Sequence, residues 1–129
     1  MWEKLEANKG DIVSLVWLDV KKDIEIKVIT GYYPAGERIP PIRKIAELYG
    51  IGLNTAQKVF EVLCSEDVIY KKRGIGYFVQ PLAKEALFNK HQKKLEKMIH
   101  DTIDYARMIN INPSDIVVQY VDKLKEYEQ

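Results

Sequence analysis

Between residues 31 and 52 the chain is interrupted repeatedly by glycine and proline, at Gly31-Tyr32-Tyr33-Pro34-Ala35-Gly36, at Pro40-Pro41 and at Gly50-Ile51-Gly52. Glycine takes up positive φ at no steric cost, and proline fixes φ and lacks an N–H, so no continuous helix passes through such a stretch. Short pieces that turn sharply on one another are the only option. Before the first break, Val16, Trp17, Val20, Ile24 and Val28 recur at the spacing of one helix side, which predicts a helix over 16–29 stopped by Gly31. Between the later breaks, Ile42, Ile45, Ala46 and Leu48 supply a short apolar face. Pro40 and Pro41 suit its entrance, because first-turn N–H groups lack intrahelical partners anyway. Beyond Gly52, a helix is predicted from about Leu53 to Ser65, burying Ala56, Val59, Phe60, Val62 and Leu63. Two helices joined by a short glycine-containing turn make a helix-turn-helix.

Val68-Ile69-Tyr70 then reads as a strand, Lys71-Lys72-Arg73-Gly74-Ile75-Gly76 as a turn and Tyr77-Phe78-Val79 as the returning strand. A hairpin in that position is a wing, and Tyr70 and Tyr77 are expected to pack across its strands. After Pro81, helical spacing resumes through Ala83, Leu87, Leu95, Met98, Ile99, Thr102, Ile103 and Ala106. A last helix starts at Asn112-Pro113-Ser114-Asp115, with asparagine as cap and proline in the first turn, and turns Ile116, Val117, Tyr120, Val121 and Leu124 inward. So short a helix cannot cover the long one, which leaves Leu87, Leu95, Met98, Ile99 and Ile103 for a two-fold dimer interface. The expected fold is mostly α with a small β-hairpin: a winged helix-turn-helix over 1–80 and a two-helix antiparallel dimerisation tail over 81–129.

Lysine and arginine number 20 against 19 acids, a formal charge of +1, so any polyanion surface must arise from local placement of charge. The single cysteine, Cys64, belongs to no CxxC pair and suits a reducing cytoplasm. Neither a secretory leader nor a run of about 20 apolar residues is apparent, which predicts a soluble cytoplasmic chain without a membrane partner. His91 and His100 would fall on opposite sides of a helix, since nine residues turn it through about 900°, so no metal site is expected. No nucleophile–base arrangement or carboxylate pair offers a catalytic site, so the chain is not expected to be an enzyme or to need a cofactor. Trp17 reads as a core residue and Trp2 as part of an arm that packs against a partner.

Four motifs in this order resemble the DNA-binding domain of the GntR superfamily: the Gly31–Gly36 turn, Ile39-Pro40-Pro41-Ile42-Arg43-Lys44-Ile45-Ala46, Asn54-Thr55, and Gly74-Ile75-Gly76-Tyr77-Phe78-Val79. Asn54-Thr55-Ala56-Gln57-Lys58, the tyrosine at the end of the first strand and the two-helix tail are similar to the YtrA-like subfamily in particular. The resemblance implies a homodimeric regulator, commonly a repressor, that binds an operator in double-stranded DNA and controls a nearby operon, frequently one for an ATP-binding-cassette transporter. It leaves room for a small-molecule effector of unknown identity. Where many members carry arginine in the recognition helix this chain has Leu53 and Gln57, and Pro41 replaces their capping serine.

The residue chemistry assigns the roles. A recognition helix points its N-terminal residues at base edges in the major groove, which makes Leu53, Asn54, Gln57 and Lys58 the candidate readers. Asparagine and glutamine pair with adenine, lysine donates to guanine, and leucine offers apolar contact to a thymine methyl. Thr55, Arg43 and Lys44 are placed for phosphate. Arg73 and Gly74 are placed for the adjacent minor groove, whose negative potential attracts arginine. The competing expectation is a winged helix used only for docking to proteins, with no DNA affinity.

Overall fold

Val20, Ile24 and Val28, spaced four apart, are buried on one side of the first helix and start the core. The computed structural model describes the backbone of residues 9–128 and the side chains of 16–128, so Trp2 lies outside the described residues. The elements run α1 (Lys9–Ile29), α2 (Ile42–Tyr49), α3 (Leu53–Ser65), β1 (Ile69–Lys72), β2 (Gly76–Val79), α4 (Ala83–Met108) and α5 (Pro113–Tyr127). The architecture is mostly helical with one antiparallel hairpin, as the sequence predicts. Two compact units divide the chain, one ending at Asn89 and the other beginning at Lys90.

In the first unit the α1 residues meet Ile45 of α2, then Val59, Phe60 and Leu63 of α3, and Ile69 and Val79 of the hairpin. Burying each such side chain contributes about 1.5 to 3 kcal/mol, which holds α2 and α3, helices too short to be stable alone in water. Gly50 ends α2 at φ +62, and its N–H donates to the carbonyls of Ala46 and Glu47. The turn from α3 into β1 has no glycine; Asp67 takes the left-handed conformation at φ 59 instead.

Several details depart from the sequence reading. Leu48 is exposed, and Tyr49, about 100° further round α2, packs against the core in its place. Lys71 and Lys72 belong to β1, opposite Tyr77 and Gly76, which confines the turn to residues 73–75. Tyr70 and Tyr77 do not meet across the strands. The register sets Tyr70 against Phe78, stacked at 5.8 Å, and sends Tyr77 to the other face, where it meets Phe60 edge-on at 4.7 Å. Leu87, expected at a dimer interface, is 4% exposed and joins Ala83 in the core of the first unit. It falls there because the first turns of α4 still cover the winged helix.

The second unit has little core of its own. Asn110 (φ 59) closes α4, and the N–H of Ile111 donates to the Ala106 carbonyl at 2.9 Å. Asn112 caps α5, its side chain accepting from the Ser114 N–H at 3.0 Å, with Pro113 in the first turn as predicted. Among the described residues of this unit only Ala106 is buried.

Candidate nucleic-acid interface

On α3 the residues Ala56, Val59, Phe60 and Leu63 face inward, so the helical period turns Asn54, Gln57, Lys58 and Glu61 outward. The N-cap is Gly52, which offers no side-chain cap, and the first-turn N–H groups lie at the positive end of the helix dipole. Leu53, Asn54 and Gln57 are exposed, and neither amide side chain has a hydrogen-bond partner among the described residues. Their donors and acceptors are therefore available to a base edge. Thr55 is half-buried, as suits a residue at the margin of that face. Lys58 is exposed, but its ammonium rests over the Trp17 ring, 4.6 Å from the centroid, which draws it towards α1.

Glu61 went unnoticed in the sequence. It is exposed seven residues beyond Asn54, about two turns along the same face, and that spacing was the signal that could have found it. Carboxylates in general can accept from the amino group of cytosine and disfavour a nearby phosphate.

Arg43 and Lys44 are both exposed at the start of α2. Arg43 has no charged partner among the described residues, while Lys44 makes a long contact with Glu47 at 3.8 Å. Tyr49 and two α1 residues fix α2 against α1. The Tyr49 hydroxyl donates to Asp23, Lys27 donates to Tyr49 at 2.8 Å, and Lys27 and Asp23 pair at 3.0 Å. Burial and the hydrogen bond to Asp23 push the Tyr49 phenol up to about 12. Burial works against the ammonium of Lys27, but its bonds to Tyr49 and Asp23 outweigh that and raise it. Burial likewise opposes the Asp23 charge, and the bonds from Tyr49 and Lys27 hold the carboxyl below its ordinary range.

On the wing, Arg73 and Gly74 are exposed in the turn, with Gly74 at φ +76. Arg38 also reaches the wing: it bridges to Phe78 and lies beside Gly76. The sequence reading missed it because nothing in the spacing assigns residues 36–39 to a strand.

Of the residues expected at a dimer interface other than Leu87, Leu95, Met98 and Ile99 are exposed and Ile103 is half-buried. Among the described residues no group of three His, Cys, Asp or Glu side chains comes together to hold a metal, and no helix is long and apolar enough to cross a membrane.

Residues 18–79 match the family model of the bacterial regulatory proteins of the gntR family. The fold of this segment is a winged helix-turn-helix of the GntR type. The chain is similar to a GntR family transcriptional regulator from Listeria monocytogenes, at 24% identity and a TM-score of 0.71 over 84% of this chain and 93% of that one. It is similar to a transcriptional regulator from Oenococcus oeni at 24% identity, with a TM-score of 0.72 over 84% of this chain and 90% of that one. A GntR-family chain from Bacteroides thetaiotaomicron is 27% identical, with a TM-score of 0.65 over 87% of this chain and 98% of that one. The likenesses at 24% identity bear on the fold alone. No curated protein matches the chain at a significant level.

Proposed function

We propose that the chain is a sequence-specific transcription regulator of the YtrA-like GntR type, a homodimer that represses by occupying an inverted-repeat operator. The observation that carries this reading is the outward face at the N-terminus of α3, where Asn54 and Gln57 stand exposed without partners on a GntR-type domain. Buried polar groups are normally bonded within a protein, and an exposed amide pair at the head of a recognition helix is free to bond adenine. Arg43, Lys44 and the helix N-termini supply the phosphate contacts that fix register, and Arg73 enters the minor groove. The GntR-type match and the motif order favour a DNA partner over a docking role without DNA affinity.

The homodimer is supported by the second unit, which buries only Ala106 among its described residues and leaves Leu95, Met98, Ile99, Val118, Tyr120 and Leu124 exposed. An apolar cavity of about 260 Å³ lies between α4 and α5, beside Ile103, Ala106, Ile116 and Val117. Helices covered this poorly gain most by packing on a second copy. Two winged helices related by one axis engage two half-sites about one helical turn apart, and each alone binds weakly.

The test is selection of duplexes from a random pool by the full chain, followed by sequencing. Enrichment of one inverted repeat with A·T pairs at its readout positions is expected. A pool that stays random after repeated rounds overturns sequence-specific regulation and leaves the docking role.

A further inference from the structure

Residues 36–39 run antiparallel beside β2, joined to it by a β-bridge between Arg38 and Phe78. The Ile39 N–H donates to the Tyr77 carbonyl at 2.9 Å, the Val79 N–H to Glu37 at 3.0 Å and the Gly36 N–H to Val79 at 2.9 Å. Arg38 thus stands opposite Phe78 on one side, as Tyr70 does on the other. Residues directly opposed in an antiparallel pair share a face, and so do residues two apart on a strand. Arg38, Phe78, Tyr70, Gly76 and Lys72 therefore occupy one face of the wing, and Glu37 alternates to the other.

The Arg38 side chain runs along that face towards the wing tip. A Cβ built on Gly76 would stand 2.8 Å from Arg38 Nε and 3.3 Å from Cζ. The bare glycine is the seat of the guanidinium. Lys72, opposite Gly76, rests its ammonium 4.5 Å from the Phe78 ring centre and 5.9 Å from that of Tyr70. Arg38 and Lys72 are exposed, neither meets a carboxylate among the described residues, and Arg73 follows in the exposed turn. Three cations on and beside an aromatic floor, with no acid on that face, suit a polyanion.

We infer that Arg38, held on Gly76, is the phosphate clamp of the wing, gripping the DNA backbone beside the minor groove that Arg73 enters; this rests on the DNA-binding reading above. A guanidinium lying along a strand face cannot follow the turn into a groove. It is well placed for the groove wall, where its planar fork meets two phosphate oxygens at once. Seating on Gly76 orders the side chain before DNA arrives, which lowers the entropy lost on binding. Arg38 accordingly contributes to affinity on every sequence, whereas Arg73 contributes to A·T preference.

The experiment compares the full chain with Arg38→Gln and Arg38→Lys, on a duplex selected by the wild type and on a random-sequence duplex, across a salt series. Loss of one phosphate contact in each protomer of the dimer lowers the magnitude of the salt slope by about 1.8 and weakens binding about thirty-fold near 0.15 M salt. Arg38→Gln is expected to show both changes equally on the two duplexes with its melting temperature unchanged. Arg38→Lys is expected to keep the wild-type slope. A wild-type slope in Arg38→Gln overturns the clamp while leaving the DNA-binding reading intact, and so does a loss confined to the selected duplex. A wild type that retains neither duplex overturns both readings.

Discussion

Placing a carboxylate on the exposed stripe of α4 is expected to split the proposed dimer. Leu95, Met98 and Ile99 are 56%, 57% and 54% exposed. Full burial of such a side chain contributes about 1.5 to 3 kcal/mol, so covering the open half of one contributes about 1 kcal/mol. Ile99→Glu forfeits that in both copies and drives two carboxylates out of water, at an effective cost of several kcal/mol per ion. The loss is at least about 4 kcal/mol, which raises the dimer Kd roughly a thousand-fold. The helix itself survives, because glutamate is a better helix former than isoleucine. Sedimentation at micromolar concentration is the assay, with circular dichroism to verify helix content. Lys97→Gln is the control on the opposite side of α4: it loses only an exposed, solvent-screened 2.8 Å pair with Asp101 and stays dimeric. An Ile99→Glu chain that sediments as a dimer, or a wild type that is a clean monomer, refutes the reasoning.

Other perturbations separate the parts of the account. Gln57→Ala is expected to cost about 1 to 3 kcal/mol per protomer on the selected duplex and far less on random DNA, while Arg43→Ala weakens both about equally and lowers the salt slope by about one unit per protomer. Titrations of the two variants on both duplexes check this, and identical behaviour contradicts the division into reader and clamp. A fragment ending at residue 80 is expected to melt well below one ending at residue 89, because the shorter one removes Ala83 and Leu87 from the core; losing a buried leucine costs about 2 to 5 kcal/mol. Equal melting temperatures would exclude the start of α4 from that core. Tyr49→Phe is expected to cost about 1 to 2 kcal/mol through its lost bonds to Asp23 and Lys27, less than for a fully buried charged pair because both partners are partly solvated. The Tyr49 phenol is raised from 10.0 to about 12, so its contribution is complete below 10 and fades as the pH climbs between those values. Phenolate absorbance should lose its latest-titrating component in Tyr49→Phe, and an unchanged alkaline titration would contradict the pairing.

Much of the fold was legible because it rests on local signals. Gly31, Gly50 and Gly74 stand at positive φ where the turns were expected, and α3 runs from Leu53 to Ser65 as its apolar period indicates. The misread details depend on tertiary contacts. Leu48 and Tyr49 are adjacent and both carry apolar surface, and only the position of Asp23 and Lys27 on α1 decides that the tyrosine turns in. Leu87 lies in the same apolar period as Leu95, and no periodicity reveals that α4 passes from covering one unit to forming another. On the candidate site, Asn54 and Gln57 were legible because helical spacing fixes the outward face. Arg38 was not, because its role comes from a β-bridge to Phe78 and from a seat on Gly76, a residue far along the chain.

The central claim is that α3 reads DNA sequence through its unpartnered amides. Its most direct test is the ratio of affinities of the full chain for its selected duplex and for random DNA, measured near physiological salt. A specific regulator is expected to bind the selected site about 10³-fold or more tightly, with both affinities falling steeply as salt rises. Equal affinities at every salt concentration would mean that the helix grips the backbone without reading it, and no retention at all would remove DNA from the account.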